Sequence, residues 1–142
     1  MKRAVATFVN ERFDAETYDN RGGTALGRIH ITRRFEGDLE GDATAELLTA
    51  TTESGSAVYV AFDRITGRLH GKGGSFVLHH RGIVSAEGAA TEGAVVPQSG
   101  TSELVGLRGE ATITVDAEGT HRLTLEYDLN PPPEETAQDD AG

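Results

Sequence analysis

The stretch Tyr59-Val60-Ala61-Phe62-Asp63-Arg64-Ile65-Thr66-Gly67-Arg68-Leu69-His70-Gly71-Lys72-Gly73-Gly74-Ser75-Phe76-Val77-Leu78-His79-His80-Arg81-Gly82 reads as one long β-hairpin. Two runs rich in β-branched and aromatic residues flank Gly71-Lys72-Gly73-Gly74, where glycine supplies the positive φ angles of a tight turn. Pairing Gly71 with Gly74 sets Leu69 opposite Phe76, Ile65 opposite His80 and Asp63 opposite Gly82. Side chains alternate across a strand, so Tyr59, Ala61, Asp63, Ile65, Leu69, Phe76, Leu78 and His80 share one face. Arg64, Arg68, His70, His79 and Arg81 take the other, solvated face. An acid, a histidine and a tyrosine therefore stand on an otherwise apolar surface.

The alternation continues on both sides of this hairpin. Residues Ala4 to Phe13 form a first strand, and the polar stretch Asp14 to Thr24 reads as a loop, a candidate lid over an opening. From Leu26 to Phe35, Ile29, Ile31, Arg33 and Phe35 fall on one face, with Arg33 the odd member. A turn around Gly37-Asp38-Leu39-Glu40-Gly41 leads to a strand over Ala43 to Thr52, and Glu53-Ser54-Gly55-Ser56 makes the next hairpin. With Glu53 paired to Ser56, Glu46 faces Asp63, and the apolar phase of the preceding strand prefers Arg33 opposite Glu46. His80 lies diagonally from Asp63, so Arg33, Glu46, Asp63 and His80 form a row across four strands. Two facing carboxylates on an apolar face require a shared proton or a cation.

Further strands run over Ile83 to Ser85 and Ala89 to Val96. In Ser99-Gly100-Thr101-Ser102-Glu103-Leu104, Ser99 or Thr101 is placed to cap a single helical turn. A last hairpin joins Ala111 to Val115 with Leu123 to Leu129 and puts Tyr127 on the inner face. Residues 1–130 thus make one domain, and 131–142 read as a disordered acidic tail. About eight alternating strands joined by hairpins predict an all-β fold, an eight-stranded antiparallel up-and-down barrel of the calycin-like kind, which removes exposed edges and can enclose one small ligand. A β-sandwich is the alternative.

Composition narrows the function. The 18 glycines exceed the average share of about 7% and suit a hairpin-rich chain. The absence of cysteine excludes disulfides, thiolate metal sites and cysteine nucleophiles, and a cytoplasmic home is the simplest reading. The formal charge of −10, four units of it in Glu134, Glu135, Asp139 and Asp140, argues against nucleic-acid binding. No stretch has the length and apolarity of a membrane span or a signal peptide. His79 and His80 point to opposite faces and cannot share a metal ion, and Gly71-Lys72-Gly73-Gly74-Ser75 lacks the Gly-Lys-Ser/Thr ending of a phosphate loop. No cofactor and no metal are expected.

Four segments carry a family resemblance: Phe35 to Gly41, Asp63 to Leu69, Gly74 to Leu78, and Pro97-Gln98-Ser99-Gly100-Thr101-Ser102-Glu103-Leu104-Val105-Gly106-Leu107-Arg108-Gly109. Over about Ala4 to Leu129 the chain resembles the small bacterial proteins grouped as domain of unknown function 3224. That resemblance implies a barrel of the allene oxide cyclase type, shared with dirigent proteins and some bacterial polyketide cyclases, whose lumen holds an apolar substrate and guides ring closure without a cofactor.

Together these readings predict a cofactor-independent cyclase or isomerase acting on a small apolar molecule. Asp63 and His80 manage a proton and Glu46 tunes Asp63. Arg33 and Tyr59 stabilise developing charge, while Phe76, Leu78 and Tyr127 line the substrate. The alternative is a lipocalin-like barrel that binds or sequesters such a molecule without catalysis. A third reading is a homo-oligomer that buries the outer patch Val58, Val60 and Phe62.

Overall fold

The computed structural model describes residues 1–86 and 88–129; the acidic tail falls outside the described residues. Eight antiparallel strands follow one another in chain order and close into a barrel, β1 pairing with both β2 and β8. They are β1 (Lys2–Arg21), β2 (Thr24–Gly37), β3 (Leu39–Thr52), β4 (Ala57–Leu69), β5 (Lys72–Ser85), β6 (Gly88–Val95), β7 (Arg108–Val115) and β8 (His121–Asp128). A single 3-10 turn, Ser102–Leu104, stands between β6 and β7. Among the described residues no helix is long and apolar enough to cross a membrane.

The central hairpin turns on His70-Gly71, both at positive φ (48° and 82°), as a two-residue turn that matches strand twist requires. Leu69 therefore pairs with Lys72, and Asp63 faces Leu78 rather than Gly82. The pairing is displaced by four residues from the expected one. Four is even, so every side chain keeps its face. Ala61, Asp63, Ile65, Leu69, Phe76, Leu78 and His80 are all buried.

The β3–β4 hairpin differs by an odd step. Glu53-Ser54-Gly55 is a three-residue loop closed between Thr52 and Ser56, with the Thr52 amide donating to the Ser56 carbonyl at 2.9 Å and Gly55 at φ 99°. Ala45 consequently faces Asp63, and Glu46 pairs with Phe62 on the outer surface. The placement of Glu46 in the interior row is corrected on this ground.

The stretch Asp14 to Thr24 is not a loop. Asp14 to Arg21 is the second half of β1, and Gly22-Gly23 turns it into β2, the two laddered through Arg21–Thr24 with register shifts between Asn10 and Arg12 and between Thr17 and Asp19. Its polar alternation reflects a ribbon that reaches past the shorter strands and meets water on both faces. The β1–β2–β3 extension thereby forms an open mouth at one end of the barrel.

The segment after β6 closes the other half. Here residues 72–77 of β5, paired with β4 on one side, have no β6 partner on the other, and side chains substitute for one: Ser99 Oγ accepts the Val77 amide (3.0 Å), Thr101 Oγ1 the Ser75 amide (2.9 Å) and Glu103 Oε1 the Gly73 amide (2.8 Å). The period of two in Ser99, Thr101 and Glu103 matches the period of the strand they serve. The expected helical turn is present as the 3-10 turn, but its cap residue Thr101 makes no side-chain cap hydrogen bond.

Candidate functional site

The barrel interior holds two apolar clusters with polar side chains between them. Phe35, Leu39, Ile65, Leu69, Phe76, Leu78, Leu104, Leu107 and Leu125 belong to the larger one. Ile31, Ala45, Leu47 and Ala61 make the smaller one, with Ile29 and Tyr59 packed against it toward the mouth. Among the described residues, Arg33, Asp63 and His80 are the buried charged or polar ones, at 6%, 2% and 5% exposure.

Small residues on the intervening strands let these groups meet. Arg33 on β2 pairs in register with Ala43, and Asp63 on β4 with Ala45, so the arginine crosses β3 over two alanines. Its Nε donates to Asp63 Oδ2 at 2.7 Å and its NH2 approaches Oδ1 at 3.5 Å. NH1 donates to Asn10 Oδ1 at 3.0 Å, and the guanidinium lies 5.1 Å over the Phe8 ring. His80 pairs with Ala61, whose small side chain leaves room for the imidazole to reach Asp63 Oδ1 through Nε2 at 2.7 Å. On the ring's other side, Nδ1 is 3.0 Å from the Tyr59 hydroxyl, with the two rings edge to face. Tyr59 can lie there because Gly82 is its cross-strand partner: a Cβ at Gly82 would stand 2.2 Å from Tyr59 Cε2.

The outcome is a continuous hydrogen-bonded chain, Asn10–Arg33–Asp63–His80–Tyr59. Arg33 cancels the Asp63 charge, as a buried ion must be cancelled. The Asp63 carboxylate is an acceptor for His80 Nε2–H, and in that tautomer Nδ1 is the acceptor for the Tyr59 O–H. Burial pushes the Tyr59 hydroxyl above its ordinary value of 10.0; the Arg33 charge opposes that rise and the Asp63 charge adds to it. Tyr59 is thus a protonated phenol at neutral pH, and its oxygen lone pairs form the end of the chain nearest the mouth.

A depression of about 180 Å³ lies at the mouth, lined by Ala15, Glu16, Thr17, Ala25, Gly27, Ile29, Thr49 and Thr51. Thr17, Gly27, Thr49 and Tyr59 follow one another in register across β1 to β4, so the Tyr59 backbone stands one strand away from the depression, while its ring leans the other way over Gly82 to reach His80 on β5.

Of the eight candidate residues, Arg33, Asp63, His80 and Tyr59 come together. Glu46 does not: it sits outside, 2.5 Å from His30 Nδ1. Phe76 and Leu78 are packed in the larger cluster. Tyr127, on β8, reaches instead to the β4–β5 turn, where its hydroxyl is 2.5 Å from His70 Nδ1, away from the Arg33–Asp63–His80 row. The sequence reading missed Asn10 and Gly82. Asn10 continues the inward phase of Ala4, Ala6 and Phe8, which was the available signal; Gly82 matters only in the observed register. Among the described residues no group of three or more His, Asp or Glu is placed to hold a metal ion.

A larger concavity, about 980 Å³, lies on the outside of the wall. Its floor is the backbone of the row Leu47–Ala61–His80–Gly93–Ala111, and outward side chains flank it on both sides.

Comparison with known proteins fits this fold. The family model described as a protein of unknown function, DUF3224, matches residues 4–127. A crystal structure of a protein with unknown function from that family, from Shewanella oneidensis MR-1, superposes with a TM-score of 0.83 at 36% identity, over 92% of this chain and 99% of that one. No curated protein matches.

Proposed function

Since the chain belongs to the DUF3224 family, whose function is itself unknown, we propose from the site alone that it is a small-molecule-binding barrel that moves a proton at its ligand, a cofactor-independent isomerase or cyclase working at the mouth. The observation that carries this reading is the Tyr59–His80–Asp63 chain, which ends in a phenol on the strand next to a depression of about 180 Å³. A cavity of about 150 Å³ accommodates benzene, so the ligand is of that order, one ring or its equivalent. The charges of Arg33 and Asp63 cancel, and Glu16, the charged member of the eight residues lining the depression, is paired with Arg28 at 3.0 Å, which favours a neutral ligand carrying a weakly acidic O–H or an acidic C–H.

The step balances without any other reactant. The ligand gives a proton to the Tyr59 oxygen while the Tyr59 proton passes to His80 Nδ1, and Asp63 stabilises the imidazolium that results. Return of the proton to a different ligand atom gives an isomer; addition of the deprotonated atom to a carbonyl or polarised double bond of the same molecule closes a ring, the π pair of that bond taking back the proton from Tyr59 as His80 reprotonates the phenol.

The second reading is a binding barrel without turnover, favoured by the complete internal pairing of Asp63 with Arg33 and His80. Amide NMR titration with a panel of neutral phenols and cyclic ketones tests the site. Shifts clustered at Thr17, Gly27 and Thr49 support it, and no shift there for any probe contradicts it. For a probe that binds and turns over, Tyr59→Phe removes the hydroxyl and keeps the ring. A catalyst loses turnover by roughly 100-fold or more with affinity nearly unchanged, whereas a binder loses affinity alone.

A further inference from the structure

We infer that the rim of the β6–β7 seam is a gate on the mouth, held ajar by Thr91 and able to close by completing the Thr91–Ile113 and Ala89–Val115 pairs. Among the described residues, β6 and β7 pair at Gly93–Ala111 and Ala94–Glu110 alone. Each strand is nevertheless laddered along its whole length to its other neighbour, β6 to β5 from Gly88 to Val95 and β7 to β8 from Arg108 to Val115. Two preformed, extended edges therefore meet at Gly93 and run on toward the mouth unzipped.

One hydroxyl keeps them apart. The register set by Gly93–Ala111 continues, two residues on, to Thr91 opposite Ile113 and then to Ala89 opposite Val115. At the first of these positions Thr91 Oγ1 donates to the Ile113 carbonyl at 2.6 Å and accepts the Ile113 amide at 3.3 Å. The side chain thus occupies both main-chain groups that a ladder would use. A strand side chain normally stands across the sheet plane, so Oγ1 reaches the edge of β7 only where β6 is twisted and set back from it. Beyond this wedge Gly88, Ala89, Ala90, Thr114 and Val115 are exposed, and β6 carries no side chain there larger than a methyl group. Both edges are already extended, so zipping them orders little new backbone. Gly93, the last zipped residue of β6 on this side, is the hinge. The gate adjoins the proton chain: Gly93 pairs with His80, and Thr91 pairs with Gly82, against which the Tyr59 ring lies. Closure narrows the mouth on the Tyr59 side and keeps water from the phenol. The gate itself is a property of the wall, and its service to Tyr59 rests on the proposed function.

NMR of the full chain without ligand tests the gate. In the wild type, the Ala89 and Val115 backbones should show no cross-strand nuclear Overhauser contact. Thr91→Val keeps the shape and β-branching of the side chain and removes the hydroxyl, so the wedge loses both hydrogen bonds. Ala89–Val115 contacts should then appear, and the Ile113 amide should exchange more slowly than in the wild type by roughly tenfold or more. Thr91→Ser keeps the hydroxyl and should keep the wild-type pattern. A wild type that is already zipped, a Thr91→Val seam in which Ile113 exchanges faster, or a Thr91→Ser chain that behaves like Thr91→Val overturns the inference. No ligand enters these measurements, so failure of the binding reading leaves their outcome untouched.

Discussion

Replacing Asp63 by asparagine changes one atom in the most enclosed charged group of the interior. The carboxylate, at 2% exposure, accepts from Arg33 Nε at 2.7 Å and from His80 Nε2 at 2.7 Å. Asparagine offers one acceptor oxygen to these two donors and turns its own N–H groups on the other, while the Arg33 cation stays buried with its counter-charge gone. Breaking a buried pair in this way costs about 3–5 kcal/mol, a large part of the ~5–15 kcal/mol that holds a domain folded. At a chain of this size each kcal/mol moves the melting temperature by about 3–5 °C, so calorimetry should show Asp63→Asn melting about 10–20 °C below the parent. Glu46→Gln, outside the row, is the control and should stay within about 0.5 kcal/mol. The double change Asp63→Leu with Arg33→Met should lose less than Asp63→Leu alone, because no uncompensated charge remains. A loss below about 1 kcal/mol for Asp63→Asn would refute the reasoning, since it would mean that water already solvates the Arg33–Asp63 pair.

Other consequences follow from single contacts. Gly82→Ala puts a Cβ 2.2 Å from the Tyr59 ring and should destabilise by about 1–3 kcal/mol while abolishing the Tyr59–His80 hydrogen bond, seen as a changed His80 ring-nitrogen shift. Ser99→Ala leaves the Val77 amide without its acceptor and should cost about 1–2 kcal/mol, with amide exchange accelerating at Val77 before the distal β1–β2 ribbon. Burial raises the hydroxyls of Tyr59 and Tyr127 above 10.0, the Asp38 charge adding to the rise at Tyr127. Groups whose folded values are raised contribute stability that is present below the unfolded value near 10 and lost as pH climbs through the folded one. Melting temperature should therefore fall above about pH 10, less steeply in Tyr59→Phe, and absorbance titration of tyrosinate should place both residues above the free phenol.

The fold was legible because its strongest signal, inward alternation, survives any even error in register. The hairpin from Tyr59 to Gly82 turns two residues earlier than its glycines suggest, and the resulting shift of four left Asp63, His80 and Tyr59 on the inner face. Glu46 had no such protection. A loop of three residues rather than two moved it outside, and nothing in Glu53-Ser54-Gly55-Ser56 separates those lengths without the Thr52–Ser56 closure. The ribbon at Asp14 to Arg21 was hidden because strands with both faces in water lose the apolar alternation that reveals them. Ser99, Thr101 and Glu103 were hidden for another reason: their side chains stand in for a strand's carbonyls, an arrangement that local capping rules do not describe. The meeting of Arg33 with Asp63 depends on alanines at 43 and 45, visible in the sequence but meaningful only once the register is known.

The central claim is that the buried chain delivers proton exchange at the Tyr59 oxygen, and it requires His80 to hold its proton on Nε2 and to accept from Tyr59 at Nδ1. Nitrogen-15 NMR of the histidine side chains reads this directly. At about pH 8 the account predicts a protonated, pyrrole-like Nε2 and an unprotonated Nδ1 for His80, with the Nδ1 signal moving on Tyr59→Phe and the Nε2 signal staying near its place. A protonated Nδ1, or an Nδ1 signal indifferent to loss of the Tyr59 hydroxyl, would contradict it.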